Sequence, residues 1–219
     1  LLIRGWRWNA GEWASLIVPL AVAAIVMIVP ARSAALGMLV GSAILLLARV
    51  DDERATSVRR WLRGATIAAT ALMVPLAWPF AWLASIGPTD GFFRSALHRF
   101  EIWGHAVGRI VEAPLLGHGI DAARALPVAG ESSRFAELGP TIMPLHPHNA
   151  FLQVWLELGA VGAALMAALV LVLFARRRMP ATDAQPLTLG MYACALAMAA
   201  EAYGIWQAWW MCGLLTGGL

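Results

Sequence analysis

The sequence is built of apolar runs closed at their ends by arginine or tryptophan, and that pattern restricts what the chain can fold into. An α-helix needs about 20 apolar residues to cross a hydrocarbon layer about 30 Å thick. In that layer only helices and closed barrels pair all of their own backbone N–H and C=O groups. Runs of this kind fall at Ala14–Val29, Ala34–Ala48, Gly64–Ala84, Ala150–Phe174 and Leu187–Tyr203, and Met211–Leu219 opens a sixth. Pro19 is tolerable inside the first run, because neighbouring helices satisfy the backbone group it frees. The expected fold is therefore all-α: a polytopic helical membrane protein with five full transmembrane helices and a partial sixth. Composition agrees, with 60% hydrophobic and 13% charged residues and a mean hydropathy of +0.70. Residues 1–84 hold the first three spans and an Arg-rich loop at 49–63, residues 85–149 form an external loop, and residues 150–219 hold the remaining spans.

The basic charge is carried by 16 arginines and no lysine, against 13 acids. Excess arginine alone would point to nucleic acid, but these arginines sit at span ends, so no nucleic-acid partner is expected. Arg4 and Arg7, the five arginines of the 49–63 loop, and Arg176-Arg177-Arg178 all fall on one side when the spans alternate. The positive-inside rule makes that side cytoplasmic. The Arg32 turn, the 85–149 stretch and the turn around Trp206 then face outward, which in a bacterium is the periplasm. Cys194 and Cys212 both lie in apolar runs and offer no disulfide framework. The sequence opens on Leu1 without a charged leader and cleavage site, and it reads as part of a longer membrane protein.

Two external features carry polar side chains. Residues 92–112 have the period of an amphipathic helix. Arg94, His98, Glu101, His105, Arg109 and Glu112 form a polar stripe opposite Phe93, Leu97, Phe100, Val107 and Val111. Arg99 departs from the stripe and stands beside Trp103, Ala106 and Ile110, where a guanidinium needs a partner; Glu101 and Glu112 are the neighbouring acids. The second feature is His146-Pro147-His148-Asn149, which leads into the fourth apolar run. Pro147 biases His146 towards extended backbone, and Asn149 is a strong helix N-cap. Asn149, Gln153 and Glu157 then recur every four residues as one polar ridge, while Gly159, Ala163 and Ala167 form a ridge of small residues suited to close helix contact.

Together these residues resemble the bacterial O-antigen ligase and polymerase superfamily. The resemblance rests on Pro30-Ala31-Arg32-Ser33 opening a span and on Arg99-Phe100-Glu101-Ile102-Trp103 followed by Ala113-Pro114-Leu115-Leu116-Gly117-His118-Gly119. It rests also on His148-Asn149 followed, after nine intervening residues, by Gly159-Ala160-Val161-Gly162, and on Gly204-Ile205-Trp206-Gln207 with Trp209-Trp210. It covers nearly the whole chain and implies the C-terminal half of a full-length member. Residue 31 is Ala where many members carry Ser, and residues 121–144 resemble the family least.

The resemblance implies a GT-C-like, metal-independent, inverting glycosyltransferase without cofactor. Such an enzyme takes a glycan from undecaprenyl pyrophosphate on the periplasmic face of the inner membrane. It passes the glycan to a lipid A-core sugar or to a growing glycan. Arg32 and Arg99 match the family arginines that bind the pyrophosphate, and His148 matches the family histidine as general base; His146, Asn149 and Glu157 are expected to support it. The chemistry suits these types, since arginine grips phosphate oxygens bidentately and histidine accepts a proton near neutral pH. The plainer readings are a headgroup-anchoring turn charge for Arg32, an ion pair for Arg99 and a solvated helix-start residue for His148. The five histidines show no ligand spacing of a zinc motif, and no metal is expected. A polysaccharide polymerase of the same superfamily, a polytopic transporter of polysaccharide or its precursors, and a non-catalytic scaffold are the alternatives. Transporters advertise charge near the bilayer midplane, and here charge lies at span ends.

Overall fold

The computed structural model describes residues 32–91, 93–126, 132–138, 141–175, 185–202, 204–208 and 211–212, with isolated positions between 13 and 24. Among these the protein is helical and without strands: α1 (Arg32–Ala48), α2 (Asp52–Ile86), α3 (Arg94–Glu112), a 3-10 turn (Ala122–Arg124), α4 (Ala150–Leu173) and α5 (Gln185–Glu201). Two helices, α2 and α4, are long and apolar enough to cross a membrane. The second and fifth expected spans are helices α1 and α5 of 17 residues each, at the lower end of spanning length. Most of the first span, the arginine triplet 176–178 and most of the partial sixth span lie outside the described residues, as does the side chain of Arg32. The chain divides into two compact units, Leu1–Arg59 with Pro180–Met198, and Arg60–Met179 with Ala199–Gly218.

In the first unit α1 and α5 meet through glycine. A Cβ on Gly41 would stand 2.7 Å from the Gly190 carbonyl oxygen and 2.8 Å from Cys194 Cβ, and one on Gly190 would stand 2.9 Å from the Gly41 oxygen. Gly37, one turn earlier, faces Met198 in the same way. Four-residue spacing on both helices brings the backbones together, the mode by which helices associate where water supplies no driving force. This seam is a close small-residue contact among the described residues, and Gly104 against Ala81 and Gly159 against Leu115 are others.

The stretch 49–63, expected as a charged loop, is mostly helix. Asp51 caps α2 by accepting from Arg54 N–H at 2.7 Å. Asp52 and Glu53 follow in the first turn, where carboxylates are favoured by the helix dipole. The connection proper shortens to 49–51, and α2 extends over 35 residues, about 52 Å at 1.5 Å per residue. Trp61, Trp78 and Trp82, the aromatics that flank the third expected span, are 78%, 63% and 64% exposed.

In the second unit α3 buries Leu97, Ile102, Trp103, Ala106, Val107 and Ile110. Its core face is thus centred near Trp103 and Ala106, the flank on which Arg99 was expected. Phe93 and Val111, assigned to the apolar face, are 66% and 65% exposed.

Helix α4 is broken at Gly159, whose φ of 60° and ψ of −157° are open essentially to glycine alone. The break disconnects Ala160 and Val161 N–H from the Leu156 and Glu157 carbonyls, and the segment 114–119 takes up all four groups. Ala160 N–H donates to the Pro114 oxygen and Val161 N–H to the Leu115 oxygen, at 2.9 and 3.2 Å; His118 and Gly119 N–H donate to the Leu156 and Glu157 oxygens, each at 2.9 Å. The strands of chain lie so close that a Cβ on Gly117 would collide with the Glu157 carbonyl and one on Gly159 with the Leu115 carbonyl.

Replacing Gly159 with Ala is expected to lower stability by more than about 3 kcal/mol, summing about 1–3 kcal/mol of backbone strain and an overlap that the rigid carbonyl cannot relieve. Gly108→Ala, on an α3 position where a Cβ meets open space, should be neutral or stabilising by up to about 1 kcal/mol. Melting of the purified full-length protein in detergent checks both; equal melting temperatures for the two variants would contradict the break as described.

Candidate active site

His148 precedes α4 in a left-handed conformation, with φ of 52°. Its N–H donates to His146 Nδ1 at 3.2 Å, and its own Nδ1 lies 2.9 Å from the Ala202 carbonyl oxygen. A carbonyl can only accept, so Nδ1 carries the proton and donates, and the neutral ring keeps its lone pair on Nε2. Burial pushes the His148 pKa below the ordinary histidine value; the Ala202 bond opposes this, and Arg99 and His98 add to it. The histidine is thereby held neutral at pH 7 with Nε2 as a proton acceptor.

His146 stacks edge-on against His148, ring centroids 4.3 Å apart. Its pKa is pushed down to about 4, chiefly by burial, then by repulsion from His148 once that ring is protonated, and by Arg124. With Nδ1 accepting, its proton belongs on Nε2, which lies 3.3 Å from the Gln207 amide nitrogen. A half-turn of that amide presents Gln207 Oε1, which has no other partner among the described residues, to the ring N–H. Trp103 Nε1 donates to the Pro147 oxygen at 3.0 Å, tying α3 to the proline between the two histidines.

The ridge that opens α4 holds the end of α5 and the chain that follows it. Asn149 caps α4 by accepting from Leu152 N–H at 3.0 Å and donates through Nδ2 to the Ala200 oxygen at 2.9 Å. Gln153 accepts from Ile205 N–H at 2.8 Å and donates to Glu157 Oε1 at 2.9 Å. The other oxygen of Glu157 accepts from Asp121 N–H at 3.0 Å and from the Trp206 indole. Asn149, Gln153 and Glu157 are 1%, 2% and 0% exposed, so a buried carboxylate is satisfied by three donors, as burial requires. Glu157 therefore orients Trp206 and the 3-10 turn and does not face His148 by any described bond.

Arg99 finds its partner at the end of α5: its NH1 lies 3.1 Å from Glu201 Oε2, both side chains about three-quarters buried. The acids expected to pair with it are otherwise engaged. Glu101 accepts from Ser133 Oγ and Arg134 N–H at 2.5 and 3.0 Å, and Glu112 accepts from Arg109. Arg99 and His148 thus meet on consecutive residues, Glu201 and Ala202. Arg32 begins α1 in the other unit. Sequence reasoning missed Glu201 and the Ala202 carbonyl. The available signal was a lone acid near the end of an apolar run, a placement that favours function. Among the described residues no three His, Cys, Asp or Glu side chains are grouped as a metal would need.

A family model described as O-antigen ligase matches residues 16–167. Proteins named "Putative polysaccharide ligase" from Rickettsia conorii and Rickettsia prowazekii are 34% and 32% identical to this chain over 122 residues. A third from Rickettsia typhi is 32% identical over 123 residues. Each match covers 53% of this chain and 29% of the relative, so the matched part is under a third of the curated proteins' length. No solved structure matches the chain.

Because His146 and His148 titrate below their ordinary values in the folded chain, the unfolded chain binds protons first as pH falls. Stability should be full above about 6.5 and decline from there towards about 4, where His146 itself protonates. Melting temperature measured across that window should fall, and fall less in His146→Gln; an identical slope in the variant would contradict the assignment.

Proposed function

This chain belongs to the O-antigen ligase family, and from that premise we propose that it forms the catalytic part of a multi-pass glycosyltransferase of the bacterial inner membrane. The enzyme moves a glycan from undecaprenyl pyrophosphate to an acceptor hydroxyl on the periplasmic face, and the acceptor is a lipid A-core sugar. A GT-C-like arrangement and inversion at the anomeric carbon, without a metal, belong to the same proposal.

The observation that carries it is the hydrogen bond between His148 Nδ1 and the Ala202 carbonyl, which leaves the ring's lone pair on Nε2. The acceptor O–H attacks the anomeric carbon, its proton passes to His148 Nε2, and the bond from that carbon to the diphosphate oxygen breaks with its electron pair leaving on the diphosphate. Nε2 is free for this because Nδ1 is committed to Ala202. Charge grows on the leaving oxygen, and fixed cations lower such a barrier most. Arg99 supplies one cation next to the histidine, and Arg32 is the second. His146, Gln207 and Asn149 keep the base oriented through the contacts described above. A base on the face opposite the leaving group gives inversion.

His148→Ala in the full-length protein should lose transfer by about 10²–10⁴-fold while folding and donor binding persist. The acid limb of the native pH profile should lie below about 6.5, since burial lowers the His148 pKa. Full transfer by the variant would remove the mechanism. Arg99→Ala and Arg32→Ala should raise donor KM by about tenfold or more each. Complementation assigns the acceptor: a strain lacking a ligase accumulates polymer on the carrier lipid, and rescue of a polymerase-deficient strain instead would move the protein to the polymerase branch.

A further inference from the structure

Glu201 is the residue that the transfer chemistry leaves without a role, and its surroundings are unusual for a structural ion pair. It meets Arg99 through one oxygen and one nitrogen, NH1 to Oε2 at 3.1 Å. Its other oxygen, Oε1, is buried and takes no hydrogen bond among the described residues. A buried carboxylate is normally satisfied at both oxygens, as Glu157 is. Arg109 shows the contrast, donating to both oxygens of Glu112 at 3.0 Å each on an exposed helix turn. Glu201 thus neutralises Arg99 while holding it by a single point.

We propose that Glu201 is a resident counter-anion, occupying in the empty site the place on Arg99 that a diphosphate oxygen of the lipid donor takes, and yielding it when the donor binds. This rests on the reading that Arg99 binds the diphosphate. A diphosphate offers more charge and paired oxygens, so it forms the bidentate fork that the carboxylate does not. The exchange spares the protein a naked guanidinium, which is costly at about three-quarters burial. It also makes donor affinity a difference between two anions, and Glu201 becomes the residue that sets it. The exchange occurs one residue from Ala202, whose carbonyl holds His148 Nδ1, so donor arrival and orientation of the base act on the same two-residue segment.

The sign of one substitution separates this role from a supporting one. In Glu201→Gln of the full-length protein, reconstituted in proteoliposomes, the inhibition constant of inorganic pyrophosphate and the donor KM should both fall about 3–10-fold, the size of one partly buried ion pair removed from competition. Glu201→Ala should move both in the same direction, and Glu201→Asp, which keeps the charge, should stay nearer the native values. Tightening cannot come from a damaged fold. A rise or no change in both constants for Gln and Ala overturns the proposal, because Glu201 would then be aiming Arg99 or be irrelevant to it. Arg99→Ala separates the two ideas: if it weakens pyrophosphate binding while the Glu201 variants do not tighten it, only the counter-anion role fails. If Arg99→Ala leaves pyrophosphate binding unchanged, the donor-binding reading of Arg99 fails, and this inference with it.

Discussion

The second unit depends on a rule of apolar surroundings: a backbone polar group that leaves one partner must find another. At Gly159 helix α4 gives up two of its own bonds, and the crossing segment 114–119 replaces them group for group. Because Gly117 and Gly159 admit an approach that a Cβ would block, the crossing is held in this register. That register fixes where the turn after α3 runs, and through Asp121 N–H on Glu157 it fixes the 3-10 turn as well. From Glu157 the order passes to Trp206, through Gln153 to Ile205, and so to the carbonyl that orients His148. One missing side chain at position 159 thus stands at the head of a chain of contacts ending at the proposed base.

How much of this could be read from the sequence differed by range. Local signals were legible: Asn149 is the N-cap expected from its place after Pro-His, and Asn149, Gln153 and Glu157 share the face that four-residue spacing demands. The helix at 92–112 was legible too, and so was the isolation of Arg99 from its polar stripe, because 100° per residue decides it. What was not legible required knowing which distant segment arrives. Arg99 meets Glu201, 102 residues away, and no spacing rule reaches that far. The break at Gly159 was hidden because the apolar period continues across it undisturbed, so the glycine read as a packing notch. Residues 52–63 were read as a loop because charge outweighed the acidic cap at Asp51, although arginine is a good helix former.

The site also separates two jobs that polar residues do in an apolar protein. Asn149, Gln153 and Glu157 are almost wholly buried and hydrogen-bonded through both ends of each side chain, the state in which polar groups lend specificity at little cost. Among the described residues His148, Arg99 and Glu201 each keep something unspent: a ring nitrogen, a guanidinium fork held at one point, a buried oxygen. Saturation marks the scaffold and incompleteness marks the proposed machinery, which agrees with the general clustering of strained or unsatisfied groups where chemistry is done.

The left-handed backbone at His148 has a consequence for how such a chain changes over time. Position 148 is one where glycine or asparagine would sit with less conformational penalty than an imidazole. Local folding preference therefore does nothing to keep the histidine there; drift towards a relaxed residue would leave a well-formed but silent protein. In descendants without the proposed transfer, this is the first place where the ancestral occupation would erode while the helices around it endure.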